Sequence, residues 1–225
     1  MTKSKLAQKG FTMIELIFVI AIILSLTAIF APLAMDKLGQ TKSAKAQADI
    51  DALAAALANF LSDLGNFPSC SAADCDPNNK QLKFLAVCTG TGGCNAEYPT
   101  SATWGDLTTQ DEATLGRNNV YNHILVNDPA ANGTTDQAGT DYNTAKWKGP
   151  YITKLGADPW GKAYVIHVGG MQKGGCPVDT TGAATCGASG RGWILSAGPD
   201  GVLDTAPTAT TLSGDDLGYI FCSDC

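Results

Sequence analysis

An apolar run near the N-terminus constrains the fold of this 225-residue chain more than any other feature. Residues 16–31 are apolar apart from Ser25 and Thr27, and mostly apolar neighbours extend the run over residues 11–35. A helix needs roughly 20 apolar residues to cross a bilayer, because each residue adds about 1.5 Å to its length. The sequence therefore predicts a membrane-spanning helix over residues 11–35.

Two residues inside this run are unusual for a simple membrane anchor. Glu15 places an acid where lipid would surround it, and an unpaired carboxylate in hydrocarbon is costly, so its presence indicates a function. Pro32 lacks a backbone N–H and should kink or loosen the helix. A secretory signal peptide has its small-residue cleavage site after its apolar run, whereas Gly10 precedes this one.

The residues around Gly10 resemble the N-terminal signal of type IV pilins and pseudopilins. A lysine-containing leader, residues 1–10, ends in Gly10 and is followed by Phe-Thr-Met-Ile-Glu-Leu. The resemblance implies that a prepilin peptidase cleaves after Gly10 and methylates the new N-terminus at Phe11. It also implies that Glu15 and Pro32 take part in assembly of a helical filament. Glu15 would pair there with the Phe11 ammonium of a neighbouring subunit, which neutralises two charges in an apolar environment.

Residues 36–66 continue the helix in amphipathic form. Apolar residues recur three or four positions apart, which is the spacing of one helix face. They are Ile50, Leu53, Leu57, Phe60, Leu61 and Leu64. The Gly-Asn-Phe-Pro sequence at residues 65–68 predicts the end of the helix.

The remainder divides into a loop-rich middle region and a β-prone C-terminal third. Residues 67–147 are rich in Asn, Asp, Thr, Gly and Ala without a sustained period, which predicts loops with one or two short helices or strands. Within residues 148–225, β-prone runs at 163–168, 192–197 and 217–222 predict an antiparallel sheet of three or four strands. The apolar face of the helix would pack on this sheet, so the predicted fold class is α+β.

Motifs in the C-terminal third resemble, in order, landmarks of the major pseudopilin of type II secretion systems. They are Lys-Gly-Pro-Tyr-Ile at 148–152, Asp-Pro-Trp-Gly at 158–161, Ser-Ala-Gly-Pro-Asp-Gly at 196–201 and Gly-Asp-Asp at 214–216. The resemblance implies a structural calcium ion held by carboxylates and backbone carbonyls. Asp200, Asp215 and Asp216 match the acidic positions of that family, and Asp204 is an additional oxygen source.

This calcium segment departs from the family pattern in one respect. Residues 202–213 are longer than the compact glycine-rich connection of the family and lack most of its glycines. Acidic turns that are simply solvated at the surface are therefore the alternative interpretation.

Eight cysteines predict an exported, oxidised domain, because such a number is unusual in a reducing compartment. Their spacing suggests four local disulfides: Cys70 with Cys75, Cys88 with Cys94, Cys176 with Cys186, and Cys222 with Cys225. This pairing is one hypothesis among roughly a hundred connectivities. Zinc is the rival interpretation, but zinc sites favour tighter paired spacings with histidine partners, and the sequence holds only His123 and His167.

The charge of the chain argues against nucleic acid as a partner. The net charge is −6, and removal of the leader with Lys3, Lys5 and Lys9 would leave −9. Nucleic-acid affinity comes largely from clusters of Lys and Arg, which such a surface lacks. No Ser, His and Asp pattern or other catalytic arrangement stands out, so the sequence predicts a protein that is not an enzyme.

These features together predict a structural subunit of a type IV pilus-like filament, most similar to the major pseudopilin of a type II secretion system. The implied partners are further copies of the chain, prepilin peptidase, an inner-membrane assembly platform, and minor pilins or pseudopilins. The subunit would span the inner membrane once, with its head in the periplasm or outside, before it enters an extracytoplasmic filament. Two alternatives stay open: a type IV pilus subunit for adhesion or motility, and an uncleaved membrane-anchored binding module.

Overall fold

One long helix, a short π-helical turn and four strands make up the regular structure. The computed structural model describes residues 10–65, 67–68, 84–88, 98–104, 107, 116–131, 133, 141–154, 156–167, 192–207 and 209–222. In chain order, the elements are α1 (Met13–Leu64), β1 (Phe84–Ala86), the π-helical turn (Tyr121–Leu125), β2 (Val165–His167), β3 (Gly192–Ser196) and β4 (Leu217–Cys222). The predicted leader, residues 1–10, lies outside the described residues except for Gly10.

Helix α1 confirms the predicted continuous helix. It is 52 residues long and runs through Pro32 without a break. Its last turn is closed by Gly65, whose N–H donates to the carbonyl of Leu61 at 2.8 Å. Gly65 has a φ of +79°, the left-handed conformation that commonly ends a helix and that glycine adopts without steric cost.

The four strands form one antiparallel sheet in the order β1-β2-β3-β4. The central register pairs Leu85 with Ile166, Ile166 with Ile194, and Ile194 with Tyr219. The three β-prone runs of the C-terminal third are strands β2, β3 and β4, as predicted. The fourth strand, β1, comes from the loop-rich middle region.

The sheet is apolar on both faces and forms two core clusters. On one face, the predicted stripe of α1 packs against side chains of β1, β2 and β3; the buried members include Ile50, Leu53, Leu57, Phe60, Leu85, Ile166 and Ile194. On the other face, alternate residues of the same strands form a second cluster around Trp193 and Leu195. Since successive side chains of a strand point to opposite faces, both clusters follow from the same short apolar runs. The predicted α+β fold is confirmed.

The middle region contributes to both clusters. Val120 and Ile124, which flank or lie in the π-helical turn, are buried beside the α1 stripe. Tyr98 and Leu107 are buried in the cluster around Trp193. The expectation of short elements within loops is confirmed, and the described part of this region also supplies core residues.

The chain divides into two compact units, Met1–Thr41 and Lys42–Cys225. The described residues of the first unit, 10–41, comprise the apolar first part of α1, the few residues before it and the polar residues up to Thr41. The second unit contains the amphipathic part of α1, the sheet and the described loops.

Candidate assembly helix and acidic loop

The described apolar residues of the first unit are exposed, in contrast to those in the core clusters of the second. Phe11 is 88 % exposed, and Leu16 and Phe30 are 57 % and 62 % exposed. Ile50 and Leu53, further along the same helix, are fully buried. Among the described residues, α1 is the one helix that is long and apolar enough to cross a membrane. Such a surface needs lipid or other apolar helices around it.

Glu15 is tied to the start of α1 by Thr12. Glu15 Oε2 accepts hydrogen bonds from the Thr12 backbone N–H at 2.9 Å and from its hydroxyl at 2.8 Å. In return, the Glu15 N–H donates to Thr12 Oγ1 at 3.3 Å. This reciprocal arrangement is a capping box, which satisfies N–H groups that the first helical turn leaves without partners. Thr12 was not among the predicted site residues, although Thr-x-x-Glu before an apolar run is the sequence signal for such a cap.

The two hydroxyl residues inside the apolar run are satisfied within the helix. Ser25 Oγ donates to the carbonyl of Ile22, and Thr27 Oγ1 donates to the carbonyl of Ile23, both at 2.8 Å. Neither hydroxyl therefore needs a further partner in an apolar environment. Glu15 is left as the single ionisable side chain of the run.

Three of the four predicted calcium residues come together in the loop between β3 and β4, which we call the acidic loop (residues 197–216). Asp200, Asp204 and Asp215 each offer a carboxylate oxygen, and these oxygens lie within 4.8 Å of one another. Calcium–oxygen distances are about 2.3 to 2.6 Å, so one ion could contact all three. Asp215 Oδ1 is buried and has no hydrogen-bond partner among the described residues.

The fourth predicted residue, Asp216, does not belong to that group. It is only 5 % exposed, and its Oδ2 accepts a hydrogen bond from the Thr205 N–H at 2.6 Å. Burial raises the pKa of Asp216 and the nearby Asp204 carboxylate raises it further, whereas the hydrogen bonds from Thr205 act in the opposite direction. Through this hydrogen bond, the buried side chain of Asp216 links the end of the acidic loop to Thr205 in its middle.

Two glycines let the segments of the acidic loop approach each other closely. Gly198 and Gly214 have φ values of +66° and +65°, a conformation that side chains rarely adopt. A Cβ at Gly198 would collide with the carbonyl oxygen of Asp215, and one at Gly214 would collide with the Asp204 carboxylate. The Ser-Ala-Gly-Pro-Asp-Gly and Gly-Asp-Asp motifs therefore place glycine where the backbone and the acids are closest.

The Asp-Pro-Trp-Gly turn is joined to the base of the acidic loop by a buried carboxylate. Asp158 Oδ1 accepts hydrogen bonds from the N–H groups of Trp160 and Lys162, at 3.0 and 2.8 Å. Its Oδ2 accepts from the hydroxyl of Ser196 at 2.7 Å, and Ser196 Oγ accepts from the Gly198 N–H at 3.3 Å. Trp160 in this turn packs against the core cluster that contains the α1 stripe.

His123 is a structural residue rather than a metal ligand. Its imidazole is fully buried, and its Nε2–H donates to the Arg117 carbonyl while Nδ1 accepts from the Tyr142 hydroxyl, both at 2.7 Å. This assignment of the proton follows from the carbonyl, which can only accept. Burial lowers the pKa of His123 to about 4, against the opposing effect of the hydrogen bond to Arg117. The imidazole is therefore neutral at physiological pH.

The predicted disulfides fall mainly on residues that the structure does not describe. Cys88 is buried and disulfide-bonded. Its predicted pairing with Cys94, and the other three pairings, stay predictions. Outside the described residues lie Cys70, Cys75, Cys94, Cys176, Cys186, Cys225 and the side chain of Cys222.

An exposed apolar N-terminal helix and an α+β unit around a four-stranded antiparallel sheet define the architecture of a pilin-like protein. The prokaryotic N-terminal methylation motif matches residues 5–31, and the family of protein G of the type II secretion system (T2SS) matches residues 124–191. The two matches support a type IV pilin or pseudopilin, which is a structural protein rather than an enzyme. The methylation motif and the apolar helix fit single-pass anchoring in the inner membrane before filament assembly.

The matches have limits along the chain. The protein G segment ends before β3, so the acidic loop lies outside it. No characterised protein and no solved structure matches the chain.

Proposed function

We propose that the chain is the precursor of a filament subunit of the major pseudopilin type, used by a type II secretion system. The observation that carries the proposal is the joint presence of the Gly10–Phe11 processing signal, Glu15 in a capped first turn, and an exposed apolar helix. The protein G segment within the second unit supports the secretion type.

In this proposal, prepilin peptidase cleaves after Gly10 and methylates Phe11 while α1 is still in the membrane. An inner-membrane assembly platform then transfers the subunit so that the apolar helices pack in a filament core. Apolar side chains leave one nonpolar environment for another, so helix packing and one charge pair must drive this step. Glu15 is already oriented by Thr12 in the single chain, and its carboxylate would receive the Phe11 ammonium of a neighbouring subunit.

Replacement of Glu15 by Gln tests the assembly role. The amide keeps an oxygen that Thr12 can donate to but loses the charge that would pair with an ammonium. We expect normal membrane insertion and loss of filaments, measured by electron microscopy and by the amount of sheared filament protein. Ser25→Ala, in the same helix, is the matched control and should assemble as the wild type does. Normal filaments from Glu15→Gln would contradict the charge-pair mechanism.

A type IV pilus subunit is the second candidate, because the middle region is large and supplies a strand and core residues beyond the protein G match. Deletion of the gene separates the two candidates. Loss of exoprotein secretion without loss of surface pili supports the pseudopilin. Loss of surface pili with normal secretion supports the pilus subunit.

We also propose that the acidic loop holds a structural calcium ion. Supporting observations are the close grouping of Asp200, Asp204 and Asp215, and the buried Asp215 Oδ1, which lacks a partner among the described residues. The positive charge of a bound calcium ion would offset the repulsion between these carboxylates. Gly198 and Gly214 let the segments that carry these carboxylates approach each other closely, which brings their oxygens together.

Calcium removal tests this site. At about 100 times Kd, a ligand stabilises a folded protein by about 2.7 kcal/mol, which corresponds to an unfolding temperature higher by about 5 to 10 °C for a chain of this size. We expect a shift of that order between calcium and chelator in the detergent-solubilised full chain, and a much smaller shift for Asp204→Asn. Magnesium is the control ion and should have less effect, because it demands a more regular geometry. Equal unfolding temperatures with calcium and with chelator would contradict the site.

A further inference from the structure

A segment of the middle region runs alongside the acidic loop and is bonded to it at several points. We call residues 100–104 the brace. The Thr100 N–H donates to the Gly201 carbonyl at 3.1 Å, and the Leu203 N–H donates to the Thr100 carbonyl at 2.8 Å. These two bonds form an isolated parallel bridge between Thr100 and Val202, about a hundred residues apart in sequence.

Two side chains of the brace bind the backbone on either side of Asp204. Ser101 Oγ donates to the carbonyl of Leu203 at 2.9 Å. Trp104 Nε1 donates to the carbonyl of Thr205 at 2.7 Å. The carbonyl groups of the residues before and after Asp204 are thus both held, which limits the directions in which the Asp204 carboxylate can point.

The brace is itself fixed to the sheet. The Trp104 ring meets the His167 ring edge to face, with centroids 5.2 Å apart and an interplanar angle of 84°. His167 is the last residue of β2, and Trp104 also packs against the core cluster around Trp193. Ser101 Oγ accepts hydrogen bonds from the N–H groups of Thr103 and Trp104, both at 3.2 Å, which closes the brace into a tight turn. A rigid support of this kind lowers the entropy lost when a ligand orders its site.

We infer that Ser101 and Trp104 are positioning residues that set the carboxylate of Asp204 into the group with Asp200 and Asp215. The inference rests on the proposed calcium site. Residues 202–213 lack the glycines that would let a short connection fold compactly. Hydrogen bonds from the brace, which lies outside the loop, restrict its conformation instead. The loop-rich middle region thereby determines how tightly the acidic loop holds calcium, although none of the three grouped carboxylates belongs to that region.

The test compares two indole-to-phenyl changes in the full chain. Trp104→Phe keeps an aromatic ring beside His167 but removes the N–H that binds the Thr205 carbonyl. Trp147→Phe is the matched control, because Trp147 Nε1 donates to the His123 carbonyl at 3.0 Å, away from the acidic loop. Ser101→Ala is a second variant in case Trp104→Phe does not fold. Calcium affinity is measured by isothermal titration calorimetry, and the unfolding temperature is measured in chelator.

We expect Trp104→Phe to weaken calcium binding by about threefold to tenfold, the range for loss of one hydrogen bond, and Trp147→Phe to leave the affinity unchanged. In an Asp204→Asn background, Trp104→Phe should have less effect, since a residue that acts through Asp204 cannot act without its carboxylate. Unchanged calcium affinity of Trp104→Phe and Ser101→Ala, together with weaker binding by Asp204→Asn, would overturn the inference while the calcium site stands. A wild-type chain that binds no calcium would overturn both.

Discussion

Two neighbouring aspartates, Asp215 and Asp216, have different environments although they form one acidic pair in the sequence. Asp215 shares the metal-sized group with Asp200 and Asp204, and its Oδ2 accepts from the Asp200 N–H at 3.2 Å. Asp216 is buried and bonded to Thr205. The resemblance to the pseudopilin motifs predicted that all four acids contribute to one site, but it could not predict which of them face solvent. That division depends on the path of the backbone between Gly198 and Gly214.

Asp216 should make the calcium-free protein less stable as the pH rises. Because burial raises the folded-state pKa of this carboxyl, the protonated form is favoured by folding, and stability is lost as the pH rises through that pKa. Asp216→Asn keeps an acceptor for the Thr205 N–H without the charge. In chelator at pH 7, we expect it to unfold a few degrees above the wild type, and the difference should disappear near pH 3. Thermal unfolding across this pH range provides the measurement; a lower unfolding temperature of the variant at pH 7 would contradict the account.

His123 should make the protein sensitive to acid. Its pKa is about 4 in the folded state and near 6.5 in the unfolded chain, so folding favours the neutral imidazole. Its contribution to stability is complete above pH 6.5 and is lost as the pH falls towards 4, with a total on the order of 3 kcal/mol. His123→Gln, whose amide can donate to Arg117 and accept from Tyr142, should flatten this part of the pH profile. The free energy of unfolding in urea is measured against pH for both proteins. If it changes with pH in the same way in both, His123 is not the cause of the acid sensitivity.

At the scale of elements, the apolar run and its periodic continuation were sufficient to predict α1, and β-prone runs were sufficient to predict the three strands of the C-terminal third. The stripe of α1 recurs at helical spacing, and each strand is a short β-prone run between turns. The pairing of β1 with β2 was not predictable, because three residues carry no period and their partner lies about eighty positions away. The brace could not be found either, since its bonds to residues 201–205 involve mostly backbone groups, which every sequence possesses.

The contact between α1 and the sheet should dominate the stability of the second unit. Leu57 is fully buried between the helix and the strands. Leu57→Ala removes apolar contacts and leaves a cavity, so we expect a loss of about 2 to 5 kcal/mol in the free energy of unfolding. Leu212→Ala is the matched control, because that side chain is 41 % exposed and should cost far less. Equal losses for the two variants, measured by denaturant unfolding of the full chain, would contradict this packing.

At the scale of the whole molecule, the two units differ in how far their apolar residues are exposed. The second unit buries many of its described apolar side chains in two clusters, whereas the first exposes them along α1. An apolar surface that the chain itself leaves exposed requires surroundings that cover it, either lipid or other apolar helices. In the proposed function, cleavage after Gly10 would create the ammonium that Glu15 pairs with in a filament, so processing would precede assembly.

The most direct test of the proposed filament precursor is the intact mass of the protein purified from membranes that contain prepilin peptidase, combined with N-terminal sequencing. The wild type should begin at a methylated Phe11, without residues 1–10. Gly10→Val, which adds a branched side chain at the cleavage position, should instead retain its N-terminus at Met1. A wild-type chain that still begins at Met1 would contradict the filament-precursor account and would favour an uncleaved, membrane-anchored binding module.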